Sequence, residues 1–360
     1  MSRILLLSNG HGEDLSGALI GKALQRIDHH VDAFPLVGDG NSYLAKGIRV
    51  LGKTKVFSTG GLGYTSFYAR LTELCQGQLF YLLRRLNHLY SIAGSYDLIV
   101  VIGDVICVCA AWLTGLPVAT YLVAYSSHYE GKLKMPWPCK HCLSSKRFLS
   151  IYTRDWLTAD DLTAQLWRKA IFLGNPFLDQ VLDNQPALPR IQNRLCLLPG
   201  TRRPELDENL LLILRLLENF PSVEITRKEI SFDIPLVSVL SDAALRKLVV
   251  SRGWEFIDSN HNKLGSQLVR NHLIVNVHRD SFSQVLQSSD VVLSMSGTAT
   301  EQAVGLGKPV VQLVGKGPQF TASFAEAQRR LLGPIIFCAD GLSGEEPTLI
   351  ETRNVIIYLL

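Results

Sequence analysis

Short runs of apolar residues alternate with longer helix-like segments along the whole chain. In the first half these runs are Ile4–Leu7, Val31–Leu36, Leu98–Ile102, Val118–Leu122 and Phe148–Tyr152. Each run is apolar almost throughout, which is typical of strands covered on both faces. Helices are predicted between them, near 15–27, 66–91, 105–114 and 157–168. This alternation predicts a parallel, doubly wound α/β sheet.

The pattern stops near the middle of the chain and then starts again. The stretch "GNPFLDQVLDNQPALPRIQN" contains three prolines and little periodicity, so a linker is predicted at 174–192. A strand at Leu195–Leu198 and a helix at 206–219 follow. Further strands are predicted near 234–238, 272–276, 290–294, 309–314 and 335–338. The sequence therefore predicts two Rossmann-like α/β domains, 1–173 and 193–360, that face a cleft.

Composition narrows the class of protein. A formal net charge of +4 over 360 residues is too mild to indicate a nucleic-acid binder, which needs a concentrated basic face. The seven cysteines form no secreted disulfide pattern, so a reducing, cytoplasmic setting is expected. The most apolar stretch, 97–124, is interrupted by Asp104, Gly115 and Pro117, so it predicts strand, helix and strand rather than a membrane span.

The loops after the strands are where ligands bind in open parallel sheets. The first is "SNGHGED", residues 8–14, in which Gly10 and Gly12 permit close backbone approach. Asp14 or Ser16 is expected to cap the next helix. Two adjacent acids would repel a phosphate, so the loop favours a neutral, hydroxyl-bearing ligand. A glycine turn with an acidic cap is the alternative interpretation. Its polar candidates are Asn9, His11 and Glu13.

Two further loops carry charge. "YDLIVVIGD" ends at Asp104, which is either a helix cap or a general base. "LLPGTRRPEL" places Arg202 and Arg203 beside a turn and a helix start. Arginines in that position predict a clamp for phosphate or another oxyanion. A solvated basic turn is the competing interpretation.

The segment "SDVVLSMSGTATEQAVGLGKPVVQLV", residues 289–314, reads as one complete βαβ unit. Its helix start is rich in hydroxyls and small residues and has no acid before Glu301. A helix N-terminus of this kind favours an anion, ideally a diphosphate. Glu301 is placed to accept hydrogen bonds from a vicinal diol such as ribose. A well-capped helix without a ligand is the alternative. The predicted diphosphate cradle is Ser296, Gly297, Thr298 and Thr300.

The stretch 126–148 mixes lysines with aromatic residues, including Trp137. Such a mixture suits a membrane interface or an acidic acceptor as well as a solvated loop. It also contains Cys139-x-x-Cys142 near His128 and His141. A zinc knuckle needs a second ligand pair, and none is present, so no metal is expected there.

These loops, in this order, resemble lipid-A-disaccharide synthase and its relatives, which are inverting glycosyltransferases of the GT-B fold. The matching segments are "SNGHGEDLSGALIGKAL", "VGDGNSYLAKGIRVLG", "STGGLG", "DLIVVIGD", "FLGNPFLD", "LLPGTRRPEL" and "SGTATEQAVGLGKPVV". The first loop and the end of "DLIVVIGD" depart from the family pattern on the acceptor side. The chain is therefore most similar to the divergent group of relatives in cyanobacteria and plastids. It also ends at "VIIYLL", without the long C-terminal helical segment expected of the family.

The resemblance implies transfer of a sugar from a UDP-sugar to a lipid-linked or glycolipid acceptor. UDP-sugar is then a substrate, and no cofactor is implied. Arg202 would neutralise the leaving UDP, and Gln319 would contact the donor sugar. Asp104 is the first candidate for the base, followed by Glu13 and His11. No Asp-x-Asp motif lies on a suitable loop, so no essential metal is expected.

Two other functions stay open on the sequence alone. The first is a UDP-sugar 2-epimerase, which shares this fold and a similar Glu-bearing helix. The second is a non-catalytic protein that binds a nucleotide-sugar. The cysteine usage predicts a cytoplasmic chain, and the basic and aromatic residues of 126–148 predict peripheral contact with the inner face of a membrane.

Overall fold

The computed structural model describes residues 1–52, 54, 78–128, 131–182, 188–189, 193–201, 203–258, 265–315 and 322–360. Packing divides the chain into two compact units, Met1–Pro176 and Phe177–Leu360. The segment "STGGLG" and the first part of the helix predicted at 66–91 lie outside the described residues.

The first unit is built on a parallel sheet. Its described strands, in the order β3-β2-β1-β4-β5-β6-β7, are β1 Arg3–Ser8, β2 His30–Pro35, β3 Arg49–Val50, β4 Leu98–Ile102, β5 Val118–Leu122, β6 Phe148–Thr153 and β7 Ala170–Ile171. Its described helices are α1 His11–Arg26, α2 Asn41–Ala45, α3 Gln78–Ala93, α4 Val105–Leu113, α5 Trp137–Leu143 and α6 Trp156–Leu166. The five predicted strands of this half are confirmed, and all pairings recorded between the seven strands are parallel.

The continuous apolar runs follow from burial on both faces of the sheet. In β1, Leu5 and Leu7 pack into one core, while Ile4 and Leu6 pack into another on the opposite face. Because successive side chains of a strand point to opposite faces, an alternating pattern would leave one face polar. The sheet of the second unit is buried in the same way, with Leu195 and Cys196 in separate cores.

The second unit has a mostly parallel sheet of eight described strands in the order β10-β11-β12-β9-β8-β13-β14-β15. They are β8 Arg194–Leu198, β9 Ser231–Pro235, β10 Glu255–Ile257, β11 Ser266–Arg270, β12 Leu273–His278, β13 Val291–Ser294, β14 Val310–Gln312 and β15 Ile336–Cys338. The described helices are α7 Glu205–Leu217, α8 Ser222–Arg227, α9 Asp242–Val250, α10 Phe282–Ser288, α11 Thr298–Gly305, α12 Ala322–Leu332 and α13 Glu346–Leu359.

One edge of the second sheet differs from the prediction. Strands β10 and β11 were not predicted, and both of their pairings are antiparallel. The chain reverses between Arg270 and Leu273 through a two-residue turn in which Asn271 has φ of 53°. Asparagine tolerates this left-handed conformation, so a hairpin forms where the alternation had predicted parallel strands only.

The predicted linker 174–192 is partly packed. A 3₁₀ turn, Pro176–Gln180, begins at the last residue of the first unit and continues into the second. Phe177 and Val181 are buried within the second unit, and the Phe177 carbonyl accepts a hydrogen bond of 3.0 Å from Gln302 Nε2 of α11. Residues 177–181 are therefore an anchored part of the second unit rather than a free connection.

Each sheet buries one charged aspartate on the strand next to its first strand. In β2, Asp32 accepts hydrogen bonds from Arg49 Nε at 2.9 Å and from the Tyr96 hydroxyl at 2.7 Å. Although burial opposes it, these donors hold the pKa of Asp32 below its ordinary value. The Arg49 side chain is 65% exposed, so the pair reaches the surface.

The corresponding aspartate of the second sheet is Asp233 in β9. It accepts hydrogen bonds of 2.7 Å from both His278 Nε2 and Ser231 Oγ. Burial alone would raise the pKa of Asp233. The hydrogen bonds from His278 and Ser231 and the charge of Arg194 lower it by more, so the pKa lies below its ordinary value. Arg194 Nε lies 3.5 Å from Asp233 Oδ2, and the Arg194 side chain is only 2% exposed. This ion pair is therefore enclosed.

Candidate functional site

The strand orders place a topological switch point in each unit. Strand β1 lies between β2 and β4, and β8 lies between β9 and β13. In open α/β sheets, ligands bind beyond the carboxyl ends of strands at such points. The loops after β1 and β4, and those after β8 and β13, are therefore the candidate sites, and each unit is described by itself.

In the first unit the loops after β1 and β4 meet at Asn9 and Asp104. Asn9 Nδ2 donates a hydrogen bond of 3.2 Å to Asp104 Oδ2. Asp104 Oδ1 accepts the backbone N–H of Ile106 at 2.9 Å, so this residue is the N-cap of α4. The backbone N–H of Val105 is bonded at 3.2 Å to the Tyr125 hydroxyl oxygen. Asp104 therefore caps α4 through Oδ1, while its other oxygen, Oδ2, accepts the hydrogen bond from Asn9.

Burial raises the pKa of Asp104 above the ordinary aspartate value, and the capping N–H groups and Asn9 only partly offset it. A carboxylate with a raised pKa is a stronger base than a solvated one. Asp104 therefore combines a fixed position at the switch point with an increased affinity for a proton. Capping and proton transfer are compatible here, because they use different oxygens.

The predicted first loop is shorter than expected. Helix α1 begins at His11, so Gly12, Glu13 and Asp14 form its first turn and only two residues connect it to β1. Acidic residues stabilise the first turn of a helix, which explains why the helix starts before the predicted residue 15. Gly12 is helical, which corrects the expectation that it provides special backbone freedom. The structure does not describe the His11 side chain.

Gly10 provides the close approach expected of this loop. A Cβ atom at Gly10 would overlap the Glu13 carboxylate. Glu13 Cγ also lies 3.8 Å from where a Cβ of Gly103 would be, so Glu13 packs beside the residue preceding Asp104. The structure therefore brings Asn9, Gly10, Glu13 and Asp104 together at one edge of the sheet.

A second acid at this edge, Asp14, was expected only as a cap. Instead its Oδ1 accepts a hydrogen bond of 2.6 Å from Ser8 Oγ, which itself accepts the Tyr43 hydroxyl at 2.9 Å. Asp14 is 1% exposed, and within the described part of the chain no hydrogen bond of normal geometry reaches its Oδ2. Burial raises the pKa of Asp14 to about 7. A buried carboxyl group that titrates near neutrality is common at functional sites.

The sequence contained a signal for this burial. Asp14 shares the helical spacing of Gly17, Ala18 and Gly21, which places all four on one face of α1. That face is buried, and the lack of a side chain at Gly17 makes room for Tyr43. An acid on a face of small buried residues indicates an enclosed polar contact rather than a solvated cap. Ser16, the other expected cap, is also buried.

In the second unit the loops after β8 and β13 touch directly. Gly200 has φ of 100°, and a Cβ there would lie 3.4 Å from the Met295 carbonyl oxygen, so glycine fits this contact best. Asn209 Nδ2 of α7 donates a hydrogen bond of 2.9 Å to the Pro199 carbonyl and fixes the loop from below. These contacts place Thr201 and Ser296 on neighbouring loops.

The turn before α11 is held from inside by hydroxyl groups. Ser294 Oγ accepts the Ser296 N–H at 3.2 Å, and Thr300 Oγ1 lies 2.8 Å from Ser294 Oγ and 2.6 Å from the Ser296 carbonyl oxygen. Thr300 is fully buried, so its hydroxyl shapes the turn. This differs from the prediction that the Thr300 side chain faces a diphosphate.

The start of α11 is open to a ligand. Gly297 is its N-cap and supplies no side-chain cap, while Ser296, Gly297 and Thr298 are partly exposed. Uncapped N–H groups at a helix N-terminus attract anions. Glu301 is the acidic residue within the first turn of the helix. The start of α11 therefore leaves backbone N–H groups beside Ser296, Gly297 and Thr298 without a side-chain cap, and a diphosphate cradle there stays a prediction.

A pair of glutamines behind this turn was not predicted. Gln328 Nε2 of α12 donates a hydrogen bond of 3.3 Å to the Gly297 carbonyl, and Gln312 Nε2 donates to Gln328 Oε1. Both glutamines are nearly buried. Gln312 lies in the last strand of the predicted βαβ unit, but Gln328 lies in α12 beyond it, so the pattern of the unit alone carried no sign that they would meet at Gly297.

Two predicted donor-side residues, Arg202 and Gln319, lie outside the described residues. The neighbouring Arg203 is described, and it bonds Asp207 of α7 through Nε at 3.1 Å. Its guanidinium is therefore already paired, so the predicted clamp rests on Arg202.

Part of the predicted 126–148 stretch is exposed on α5 and beside it, whereas Ser127, Leu133 and Phe148 are buried. Trp137 is 78% exposed and stacks on His141 with ring centroids 6.2 Å apart. The Arg147 guanidinium lies over the Trp112 ring at 5.4 Å, and Lys140 is exposed. We call these five residues the basic aromatic surface. Among the described residues no helix is long and apolar enough to span a bilayer.

Across the described residues, no cluster of three or more His, Cys, Asp or Glu side chains is arranged to hold a metal ion. The Cys139 and Cys142 thiols are buried, and His141 packs between Trp137 and Trp112.

Known structures share this architecture, although no protein-family model and no curated protein matches the sequence. The glycotransferase of kitacinnamycin is 13% identical, with 100% of this chain and 94% of that chain covered and a TM-score of 0.53. Spinosyn rhamnosyltransferase SpnG complexed with thymidine diphosphate is 13% identical over 99% of this chain and 92% of its own, with a TM-score of 0.52. The UDP-GlcNAc 2-epimerase from Methanocaldococcus jannaschii, also 13% identical, covers 99% and 92% with a TM-score of 0.47.

The fold is therefore that of the GT-B glycosyltransferases, two Rossmann-like α/β domains in one chain. At these identities the likeness concerns the fold alone. It bears out the predicted fold class and does not single out lipid-A-disaccharide synthase.

Proposed function

We propose that the chain is an inverting glycosyltransferase that moves a sugar from a UDP-sugar to a lipid-linked or glycolipid acceptor. The observation that carries the proposal is the start of α11 at the switch point of the second unit, which has no side-chain cap and no acidic residue before Glu301. A GT-B fold with an anion site at this position is suited to bind the diphosphate of a nucleoside diphosphate-sugar.

The second unit would hold the donor. The N–H groups at Ser296, Gly297 and Thr298 would bind the diphosphate, and Glu301 would accept hydrogen bonds from the ribose hydroxyls. The Arg202 charge would stabilise the negative charge that develops on UDP as it leaves. Gln319 would contact the donor sugar. A helix N-terminus and an arginine can stabilise a leaving diphosphate through charge alone, so the proposal invokes no metal.

The first unit would activate the acceptor. The Asp104 carboxylate would take the proton of the acceptor hydroxyl while that oxygen attacks the anomeric carbon. The bond from this carbon to the UDP oxygen breaks on the opposite face, so the configuration inverts and the proton stays on Asp104. Asn9 and Glu13 would position the acceptor hydroxyl, and His11 and Glu13 are the alternative bases.

Donor binding is tested first, with UDP-, GDP- and ADP-sugars in a thermal-shift panel. A ligand that binds only the native state raises the apparent melting temperature. We expect the UDP-sugars to give the largest shift. A larger shift with GDP- or ADP-sugars would contradict the donor assignment.

Transfer is tested with radiolabelled UDP-GlcNAc and a detergent-solubilised lipid extract. Label in the organic phase supports the proposal. Without the extract the expected result is unchanged UDP-GlcNAc, and formation of its 2-epimer would overturn the transferase in favour of an epimerase. UDP binding without either reaction would favour a non-catalytic binder.

The proposal of a lipid acceptor is based on the basic aromatic surface. Exposed tryptophan beside lysine and arginine is typical of proteins that contact the headgroups of anionic bilayers. We expect the protein to sediment with phosphatidylglycerol vesicles and to be released by salt. Trp137→Ala should weaken binding, whereas Trp156→Ala should not, because Trp156 is 61% exposed but follows Asp155. Equal loss in both variants, or binding that salt does not affect, would contradict membrane contact through this surface.

A further inference from the structure

Three cysteine residues from two helices of the first unit lie together. Cys109 belongs to α4, and Cys139 and Cys142 belong to α5. The Cys142 thiol donates to Cys109 Sγ with the sulfur atoms 3.8 Å apart. Cys139 is close enough for both neighbours to contribute to its pKa. The proposed transfer does not use these residues.

The three thiols differ in access to solvent. Cys139 and Cys142 are buried, whereas Cys109 is partly exposed. A small oxidant in solution can therefore reach Cys109 first. Cys142 lies directly behind it, so a sulfur atom bonded to Cys109 would have a second thiol beside it.

The hydrogen bond between the two sulfur atoms also assigns their chemical roles. Burial, together with the Cys109 charge and the bond to Cys109, raises the pKa of Cys142 to about 12. Burial raises the pKa of Cys109 as well, but the hydrogen bond from Cys142 opposes this rise. Cys109 is thus the more readily ionised of the pair, and the thiolate is the nucleophile in disulfide exchange.

We propose that Cys109 and Cys142 form a reversible dithiol–disulfide site that reacts with low-molecular-weight disulfides. The Cys109 thiolate attacks one sulfur of the small disulfide, the S–S bond breaks, and one small thiol leaves. The Cys142 thiolate then attacks Cys109 Sγ and displaces the second small thiol. One S–S bond joins the two helices, two protein S–H bonds are lost, and the small disulfide is reduced to two thiols.

The geometry favours this pair over a bond within Cys139-x-x-Cys142. The pair links neighbouring helices, and its sulfur atoms are already in contact. The two cysteines of the C-x-x-C motif are one turn apart in α5, and no bond between their thiols is recorded in the described structure. Cys139 is therefore not required for the reaction.

The test treats the full-length protein with oxidised glutathione and maps its thiols by mass spectrometry under non-reducing conditions. The expected product is a Cys109–Cys142 cross-linked peptide that a dithiol reductant returns to the starting mass. Cys142→Ser should instead retain one glutathione on Cys109, and Cys109→Ser should show neither product. Cys139→Ser should cross-link like the unchanged protein.

Cys338 is the internal control, because it is also partly exposed but has no bond to another thiol in the described structure. It should form at most a mixed disulfide with glutathione. Circular dichroism before and after treatment shows that the reacting protein is folded. A folded protein in which Cys109 and Cys142 stay reduced, or in which Cys139 and Cys142 are linked instead, would overturn the proposal. These readouts do not depend on glycosyl transfer.

Discussion

The two units have the same parallel framework but opposite chemistry at their switch points. In the first unit the loops after β1 and β4 present Glu13 and Asp104, with Asp14 buried below. In the second unit the loops after β8 and β13 present glycine, hydroxyls and free N–H groups, and Glu301 is the first acid of α11. The same type of domain can therefore provide a proton acceptor in the first unit and an anion site in the second.

This difference shows which chemical groups, side chains or backbone, supply the chemistry in each unit. Side chains supply the chemistry of the first edge, since carboxylates accept protons. The backbone supplies that of the second, since an uncapped helix start binds anions whichever small residues it carries. A substitution at the first edge should therefore change reactivity, while one at the second should change binding.

The largest expected effect is on Asp104. Asp104→Asn keeps a good N-cap but removes the base, so we expect kcat to fall about 10²- to 10⁴-fold while the Kd for UDP stays unchanged. The measurement is transfer from UDP-GlcNAc to a lipid extract, with calorimetry for UDP. Asp97→Asn, at the other end of β4, is the control, since Asp97 only accepts the Arg3 N–H. An Asp104→Asn protein with full activity would leave Glu13 or His11 as the base.

The second effect compares the two enclosed aspartates. Asp233→Asn leaves Arg194 buried without its counter-charge and should destabilise the second unit by about 3–5 kcal/mol. Asp32→Asn leaves Arg49, which can turn to water, and should cost about 1–2 kcal/mol. Hydrogen exchange of β9 and β2 measures each unit separately. Equal loss of protection in the two strands would show that exposure of the arginine does not decide the cost.

The third effect is a pH dependence at Asp14. Its pKa of about 7 exceeds that of an unfolded aspartate, so the folded state holds the proton more tightly. Stability should therefore be highest below the unfolded pKa and fall as pH rises towards 7. Asp14→Asn removes this loss of about 2–4 kcal/mol, so it should raise Tm relative to the unchanged protein more at pH 8 than at pH 5. A pH-independent difference in Tm would contradict the assignment.

The smallest effect concerns donor binding. Ser296→Asp places a carboxylate directly before the start of α11, where no acid precedes Glu301, and should weaken UDP binding about 10- to 100-fold. Asn9→Asp adds the same charge to the first unit and should leave the Kd for UDP unchanged. Calorimetry with UDP measures both. Weakening by Asn9→Asp alone would place the nucleotide in the first unit and reverse the comparison.

Much of the fold followed from local pattern, whereas parts of the site depended on distant contacts. Continuous runs such as Leu98–Ile102 predicted buried strands to within one or two residues in most of the chain, because burial on both faces requires apolar side chains. Strands β10 and β11 were missed because they carry no such run. Tyr125 and Gln328 were missed because their partners, Val105 and Gly297, come from other elements. The helical spacing of Asp14 with Gly17, Ala18 and Gly21 indicated that it is buried, but Asp14 was predicted to be a helix cap.

The anchoring of residues 177–181 has a consequence for synthesis of the chain. The bond from Gln302 to Phe177 spans 125 residues, and Leu178 packs where a side chain at Gly305 would lie. On the ribosome, every described strand of the first sheet has been made before Phe177, but Phe177 and Val181 must wait for α10 and α11 before they are covered. A nascent chain that ends before α11 would therefore carry Phe177 and Val181 without the residues that cover them in the folded second unit.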